Sequence, residues 1–423
     1  MTPYKFLVNN APLKPEDVAD RDLGFANLQG YTIVNHGREH VWLGLMRFTA
    51  SPEDLPKLIV YLKAAGQNST SARTLYRTLE SYSRLKRSDA ALAASYRRTA
   101  TGGLVTAVGI SESGFRKALP NARRPSSEAF RDGFVSRYRN RLQRDLPEGY
   151  DAVLVVAAHT DAEAKSHADT ATEELAGLAT VTWRSGTKNE GKEHFGYADG
   201  ISQPQFFAEV EGAPPGAEYE HARPLSALLI AQPGAAPQAH EYGSFMAYIG
   251  VEQHLEHFQE LIRKATEGGG CTEDEVTCWL MGRSRAGVAL MGDHNYFTYS
   301  GPPPIKCPVS AHIRKANPRR TEDWPVRILR RGVAYKTDDG KCGILFQSFQ
   351  ADLQAHFERI LFSWLLSASF PNAEAGPDPI LGSRSTLPVP TGRAAINIPE
   401  TPLTEIFEGE YFYLPSRPFF STL

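Results

Sequence analysis

The chain has 423 residues, of which 41% are hydrophobic and 22% charged, and its formal net charge is −2. That length allows two or three domains with a substantial core, and the small charge excludes a global field that would recruit nucleic acid or an anionic membrane. No window approaches ~18 consecutive apolar residues and the first residues lack a charged-then-apolar leader, so we expect a cytoplasmic protein without a membrane span.

The four cysteines follow no metal-binding or redox pattern. Cys271, Cys278, Cys307 and Cys342 form no CxxC pair and no CxxCH sequence. Zinc ribbons, thioredoxin-like redox sites and covalently attached c-type haem are therefore disfavoured. We interpret the cysteines as small buried apolar residues in a reducing compartment.

Strand and helix patterns alternate in the first half of the chain. The predicted elements are a strand at 40–48, helices at 52–66 and 72–97, a strand, turn and helix at 103–119, connecting structure at 120–150, and a strand and helix at 150–175. No GxGxxG follows the first strand, which argues against a Rossmann fold. Few strands at long spacings favour an α+β sheet with helices on one face.

The second half of the chain opens on HFGYADGISQP, residues 194–204. Prolines, glycines and alanines predict surface loops over 210–224 and 231–243. The elements predicted after the first loop are a strand at 244–251, a helix at 254–268, paired strands at 327–335 and 342–349, and a helix at 352–369. The order allows two similar α+β halves without requiring them.

Three polar residues stand out because of their neighbours. Asp199 lies between glycines in GYADG, and such residues usually cap their own backbone in a turn. His312 lies in CPVSAHIRKANPR among basic residues, which disfavour its charged form and keep the ring neutral, as a metal ligand requires. Arg330 lies in ILRRG, where an arginine usually belongs to a solvated strand face. Taken singly, each residue is more often structural than functional.

Taken together, these residues and their spacing resemble the dye-decolourising peroxidase family. The family pattern GxxDG matches residues 196–200, a histidine follows in a segment like AHIRKANPR, and an arginine follows in a strand like ILRRG. FANLQGYTIVNHGREH resembles the N-terminal NIQG segment of the family, and VGISESGFRKAL, GRSRAGVAL and FQADLQAHFERI are similar to it elsewhere. The resemblance extends over nearly the whole chain.

The resemblance implies an α+β fold of two ferredoxin-like domains, similar to a dimeric α+β barrel. We expect an N-terminal domain over 1–185 and a C-terminal, haem-binding domain over 186–423. The implied cofactor is haem b, iron protoporphyrin IX. His312 would be the iron ligand, and a carboxylate on its other ring nitrogen would strengthen it as a donor. Asp378 is the first candidate for that carboxylate and Asp352 the second, and motif spacing does not decide between them.

The resemblance assigns peroxide chemistry to Asp199 and Arg330. The carboxylate would move a proton between the two oxygens of hydrogen peroxide, and the arginine would stabilise charge on the departing oxygen. Gly196 and Gly200 would let the backbone approach the porphyrin closely. Arg314 is the candidate partner of the haem propionates, with an ordinary surface arginine as the alternative.

Apolar and aromatic residues complete the implied site. Ile344 and Phe346 alternate on one predicted strand and would form an apolar wall of the cofactor pocket, with simple core packing as the alternative. Because bulky dyes cannot reach a buried haem, electrons would leave through surface aromatic residues, although packing is the more common role of such residues. The candidates for this exit are Trp324, Tyr335, Tyr411 and Tyr413.

The implied activity is that of a haem peroxidase that reduces hydrogen peroxide through a ferryl intermediate and oxidises dyes, phenols or other organic reductants. A haem-handling protein with little peroxidase activity is the alternative, and a non-haem α+β binding protein with a structural His312 is the third hypothesis. Asp199 and Arg330 together favour the first, since haem storage needs neither. We expect hydrogen peroxide and aromatic reductants as partners, no nucleic acid and no membrane, and the sequence allows an oligomer.

Overall fold

The structure is a computed structural model. It describes residues 18–34, 36–89, 91–92, 95–96, 103–204, 206, 224–236, 239–267, 270–292, 297–299, 306–323, 325–373, 375–384, 386–387, 395–398 and 400–423. The helices are α1 (Val18–Asn27), α2 (Leu55–Gln67), α3 (Ala72–Ser88), α4 (Glu112–Ala118), α5 (Glu128–Asp132), α6 (Phe134–Leu142), α7 (Asp161–Glu174), α8 (Leu255–Thr266), α9 (Glu273–Met281), α10 (His312–Ala316) and the π-helix α11 (Leu353–Leu365).

Twelve strands are assigned in the described residues. They are β1 (His40–Phe48), β2 (Val105–Ile110), β3 (Ala152–Ala158), β4 (Ala179–Thr187), β5 (Ile230–Ala231), β6 (Tyr242–Gln253), β7 (Leu329–Arg330), β8 (Val333–Lys336), β9 (Cys342–Gln350), β10 (Thr386–Leu387), β11 (Ile396–Asn397) and β12 (Thr404–Leu414). Short 3-10 helices lie at Gly30–Thr32, Asn189–Gly191, Leu225–Ala227, Thr321–Asp323 and Pro418–Thr422.

Eight antiparallel strands close into a barrel. Their order is β6-β12-β2-β3-β1-β4-β8-β9, and β9 pairs in turn with β6. Closure matters because it removes the unpaired edges that an open sheet exposes. β5 and β7 are short additions that pair with β6 and β9.

The barrel consists of two four-stranded halves, and each half has the strand order of a ferredoxin-like unit. The first is β2-β3-β1-β4 and the second is β12-β6-β9-β8, and the halves pair where Tyr413 faces Ile110 and where Thr187 faces Ala334. The predicted α+β fold of two ferredoxin-like units is confirmed. The predicted domain boundary between residues 185 and 186 falls inside β4, and the division of the chain at that point stays a prediction.

The core has two layers because the barrel strands are covered on both faces. In β3 every residue is buried. Val153 and Val155 pack in a cluster with Leu345 of β9, whereas Leu154 belongs to a second cluster that contains Leu62 of α2. Alternate residues of a strand point to opposite faces, so the first cluster lies inside the barrel and the second beneath the outer helices. Among the described residues, no helix has the length and apolar character needed to cross a membrane.

Several predicted elements differ from the observed ones. The prediction of connecting structure over 120–150 is wrong, because α5 and α6 lie there; α6 buries Phe134, Arg137 and Tyr138 although its sequence is rich in arginine. The helix predicted over 72–97 is observed as α3, which ends at Ser88. The strand β12 was not predicted. The loop predicted over 210–224 lies outside the described residues except for its last residue.

Glu410, on β12, is a buried acid at the junction of three chain segments. It accepts hydrogen bonds from the backbone N–H groups of Phe134, Tyr150 and Tyr411 at 3.4, 3.2 and 2.8 Å. Burial nevertheless raises its pKa to about 7. The folded chain therefore holds this proton more tightly than the unfolded chain, whose Glu410 has the ordinary pKa of 4.5.

This shift predicts a stability that falls with rising pH. The contribution of Glu410 is fully present below pH 4.5 and is lost as the pH rises to about 7. The loss should reach about 3 kcal/mol, because each tenfold change in proton affinity corresponds to about 1.4 kcal/mol. Urea unfolding at pH 4.5 and 7.5 measures it: Glu410→Gln should remove this pH dependence, and the exposed acid variant Glu405→Gln should keep it. If the free energy of unfolding changes equally between pH 4.5 and 7.5 in the wild type and both variants, the assignment to Glu410 is contradicted.

Candidate functional site

The Asp199 loop, residues 193–204, follows β4 and carries the predicted acid. Gly196 and Gly200 have φ angles of 92° and 75°, left-handed conformations that glycine adopts without strain. Asp199 is exposed, and its carboxylate accepts the N–H of Gly200 at 2.6 Å. A Cβ at Gly200 would meet none of the described heavy atoms within 4 Å. Backbone conformation explains these glycines, and their close approach to a cofactor stays a prediction.

Arg330, on β7, is tied directly to the Asp199 loop. Its Nη2 donates to the carbonyl oxygen of Ile201 at 2.7 Å. The side-chain amide of Gln203 pairs with the Arg330 backbone, accepting its N–H at 3.1 Å and donating to its carbonyl oxygen at 3.3 Å. Burial lowers the pKa of Arg330, and the nearby charge of Asp199 opposes that shift. The structure thus joins Arg330 to the loop that carries Asp199, and the catalytic roles of the two residues stay predictions.

His312 begins α10 and contacts a buried carboxylate. Its Nδ1 lies 3.0 Å from Oδ2 of Asp378, which is fully buried. The other oxygen of Asp378 accepts the N–H groups of Ile380 and Leu381 at 2.9 and 2.8 Å. Because a carboxylate accepts but does not donate, Nδ1 is the nitrogen that donates, and in the neutral ring Nε2 then holds the lone pair that a metal ligand needs.

Asp378, rather than Asp352, is therefore the partner of His312. Asp352 instead caps the N-terminus of α11, where its side chain accepts the N–H of Ala355 at 2.8 Å. Residues 312 and 378 are 66 positions apart, and the connection between them is tertiary.

Lys315 fixes the short helix α10 against the segment that carries Asp378. It is fully buried, and its Nζ donates to the carbonyl oxygens of Ser367, Phe370 and Gly376 at 2.8, 2.8 and 2.6 Å. Burial lowers its pKa to about 8. Lys315, one of the basic residues beside His312, therefore serves the protein's own carbonyl groups.

A cluster of arginines lies beside the site. Arg283, which the sequence reasoning missed, is buried; burial and the like charges of Arg319 and Arg330 lower its pKa to about 10. Arg314 donates to the carbonyl oxygen of Cys307 at 2.6 Å, and its guanidinium lies 4.9 Å from the ring centre of Tyr299. Such a concentration of positive charge suits an anionic ligand. The motif GRSRAGVAL was the available signal for Arg283.

Two apolar residues of β9 are partly exposed between buried neighbours. Ile344 and Phe346 are half-buried, whereas Leu345, which lies between them, and Gln347, which follows them, are fully buried. The ring of Phe346 lies 6.3 Å from that of Phe357 on α11. Ile344 and Phe346 share the strand face opposite the barrel interior, and their role as a pocket wall stays a prediction.

Three of the four residues predicted as surface exits for electrons are buried. Tyr411 and Tyr413 have no exposed surface, and Tyr335 is buried as well. The hydroxyl of Tyr411 donates to Glu358 at 3.0 Å, and that of Tyr413 donates to Gln232 at 3.1 Å. These three residues are therefore not surface exits. Trp324 lies outside the described residues.

The region around His312 and Arg330 matches a known family. A sequence model of the Dyp-type peroxidase C-terminal region matches residues 272–370, which contain both. The multifunctional dye peroxidase DyP2 of Amycolatopsis sp. (strain ATCC 39116 / 75iv2) is 29% identical over 286 residues, 55% of this chain and 61% of the relative. The dye-decolorizing peroxidase AauDyP1 of Auricularia auricula-judae is 27% identical over 328 residues, 63% of this chain and 64% of the relative.

The chain is thus similar to dye-decolourising peroxidases, by the match of residues 272–370 and by these two relatives. It spans less than two thirds of the length of these two relatives.

Solved structures of dye-decolourising peroxidases have the same fold. The DyP-type peroxidase of Anabaena sp. superposes with a TM-score of 0.83 at 23% identity, over 99% of both chains. DyP2 of Amycolatopsis sp. ATCC 39116 superposes with a TM-score of 0.82 at 23% identity, over 98% of this chain and 99% of that one. The closed barrel of this chain therefore has the fold of these solved structures.

Proposed function

We propose that this protein is a haem peroxidase that reduces hydrogen peroxide and oxidises phenols, dyes or other organic reductants. The observation that carries the proposal is the 3.0 Å contact between His312 and the buried carboxylate of Asp378. A carboxylate partner makes a histidine a stronger donor to iron, which favours peroxide cleavage over simple haem storage. The similarity of the chain to dye-decolourising peroxidases supports the same activity.

The residues of the site fit a haem. His312 would hold the iron through Nε2, and Arg283 and Arg314 are suited to the anionic propionates by charge. The half-buried side chains of Ile344 and Phe346 offer apolar surface for a macrocycle. Haem, when bound, supplies the iron that takes up the oxidising equivalents of hydrogen peroxide and passes them to a reductant. We propose non-covalent haem b, because the chain has no CxxCH sequence.

Asp199 and Arg330 would handle the peroxide itself. Asp199 takes the proton from one peroxide oxygen and delivers it to the other, directly or through one water molecule. Arg330 donates hydrogen bonds to the departing oxygen and stabilises its developing charge. Since Arg330 is bonded to Ile201 and Gln203 of the Asp199 loop, the two groups are held on one framework before peroxide arrives.

Aromatic reductants are the proposed second substrate. A solved dye-decolourising peroxidase with a TM-score of 0.73 to this chain holds 2,6-dimethoxyphenol. We extend that class of reductant to this protein as a proposal. The four free cysteines support a reducing, cytoplasmic location.

A peroxidase assay tests the proposed function. The haem-loaded chain with hydrogen peroxide is expected to oxidise 2,6-dimethoxyphenol, followed by the absorbance of the coloured product. The matched controls omit the peroxide or replace the protein with the same amount of free haem. Oxidation no faster than with free haem would overturn the proposal.

Asp199→Asn separates proton transfer from scaffolding, because asparagine keeps the size of the side chain and loses its basicity. We expect the reaction with hydrogen peroxide to slow by about 10²- to 10⁴-fold. The haem content should stay that of the wild type. Stopped-flow absorbance measures the rate, and Glu190→Gln, an exposed acid near the same loop, is the matched control. A wild-type rate in Asp199→Asn would remove the proton-transfer role.

A further inference from the structure

Glu193, at the start of the Asp199 loop, is a buried acid that accepts hydrogen bonds from two N–H groups of the loop and from the side chain of Gln253 on β6. It is 9% exposed. One carboxylate oxygen accepts the N–H of Tyr197 at 2.7 Å, and the other accepts the N–H of Phe195 at 2.9 Å. The side-chain amide of Gln253 donates to the second oxygen as well. The loop backbone is therefore wrapped around one carboxylate.

The backbone bonds of the loop extend this arrangement as far as Asp199. The N–H of Glu193 donates to the carbonyl oxygen of Tyr197 at 3.1 Å, and the N–H of Gly196 donates to that of Glu193 at 2.9 Å. Asp199 itself donates its N–H to Gly191 at 2.8 Å. Glu193 thus lies at the centre of the turn that sets the direction in which Asp199 leaves the backbone.

Gln253 anchors this turn to the barrel. It is the last residue of β6, a central strand that pairs with both β12 and β9. Its amide nitrogen donates to Glu193, and its amide oxygen accepts the N–H of His194 at 3.4 Å. Through one amide, the loop is fixed to a rigid element.

We propose that Glu193 is a positioning residue for Asp199: its carboxylate is the template on which the loop folds, and it holds the proton-transferring acid in place. This inference rests on the proposed function of Asp199. It adds to that function, because the buried Glu193 would set the position of the exposed Asp199 carboxylate. Misplacement of a reacting group by about 1 Å costs on the order of 10²-fold in rate, so an exposed acid needs such a support.

The electrostatics agree with a carboxylate at this position. Burial raises the pKa of Glu193, and the charge of Asp199 adds to that rise, whereas Gln253 and the N–H groups of Phe195 and Tyr197 lower it. Three donors therefore offset much of the cost of a buried charge. A neutral amide at this position could not accept all three.

Glu193→Gln is the informative substitution because it preserves size and changes only the pattern of donors and acceptors. Its amide nitrogen would face either the N–H of Tyr197, or the N–H of Phe195 together with the amide of Gln253. Each arrangement sets donors against donors. The loop must then open, although the barrel beneath it keeps its packing.

The test compares haem-loaded wild type, Glu193→Gln, Asp199→Asn, their double variant and the control Glu190→Gln. Stopped-flow absorbance gives the rate of reaction with hydrogen peroxide. Hydrogen exchange of the peptide spanning residues 193–199 reports on the loop without reference to activity. We expect Glu193→Gln to slow the reaction by roughly 10- to 100-fold and to speed amide exchange in the loop by about tenfold.

Non-additivity separates positioning from general damage. The double variant should react no more than about threefold more slowly than Asp199→Asn, because the support has no further effect once the supported acid is inactive. Glu190→Gln should match the wild type in both measurements. The positioning role is overturned if the wild type reacts with peroxide and Glu193→Gln has the same reaction rate and the same amide exchange. It is also overturned if the fold-reductions in rate caused by Glu193→Gln and Asp199→Asn multiply in full in the double variant.

Two further outcomes are informative. A wild type that is inert to peroxide overturns the proposed function, while faster loop exchange in Glu193→Gln still supports the role of Glu193 in the loop. Should Glu193→Gln fail to fold, Gln253→Met removes one of the three donors from outside the loop. Slower reaction and faster exchange in that variant support the proposal, and wild-type values overturn it.

Discussion

His312→Ala is expected to lose most of its haem. The imidazole Nε2 is the metal-binding nitrogen that the contact between Nδ1 and Asp378 leaves available. Loss of a residue that merely supports a metal ligand costs 10- to 100-fold in affinity as a rule, so loss of the ligand itself should weaken haem binding by at least about 100-fold. The arginine cluster and the apolar side chains would still attract the macrocycle, which leaves a weak residual affinity.

The measurement is the ratio of haem to protein after gel filtration of the haem-supplemented chain. His257→Ala is the matched control, because His257 lies on α8 and its ring bonds to the carbonyl oxygen of Pro402 rather than to a carboxylate. The control should keep one haem per chain. A stoichiometric haem content in His312→Ala would remove the iron-ligand assignment.

Arg330→Leu is expected to keep its haem and to react slowly with hydrogen peroxide. Removal of one donor that stabilises charge in a transition state costs about 10²- to 10³-fold in rate. Leucine also loses the bond to Ile201, but the amide of Gln203 still pairs with the backbone at position 330. The framework of the loop should therefore survive the substitution.

Stopped-flow absorbance with excess hydrogen peroxide measures that rate. Arg330→Lys is the matched variant, since it keeps the charge and loses the planar fork of donors. Its rate should fall between those of the wild type and Arg330→Leu. An Arg330→Leu rate equal to that of the wild type would contradict the role of the arginine.

The sequence predicted strands and helices where their periodicity is local. β12 escaped prediction because a barrel strand covered on both faces has no alternation of polar and apolar residues. In the sequence, Glu408 and Glu410 look like residues that face solvent, but both are buried. Their burial depends on tertiary partners; Glu408, for example, accepts hydrogen bonds from the hydroxyls of Tyr150 and Tyr248. The helix α6 was missed for a related reason, since its arginines hide a short apolar face.

The sequence could name candidate site residues only where a family motif requires one particular residue type at a fixed position. His312, Asp199 and Arg330 were named in this way, and the structure joins Arg330 to the loop of Asp199. The supporting residues depend on tertiary contacts that spacing does not encode. Lys315 has the sequence appearance of a cofactor-facing cation, yet it is buried against three carbonyl groups, and Glu193 has no motif signal at all.

The absorption spectrum of the haem-supplemented wild-type chain, before and after one equivalent of hydrogen peroxide, tests the central claim most directly. We predict a Soret band that shifts within the mixing time and returns when a phenolic reductant is added. A Soret band indifferent to peroxide would contradict the peroxidase assignment and favour haem handling, and the absence of any Soret band would return His312, Asp199 and Arg330 to structural roles.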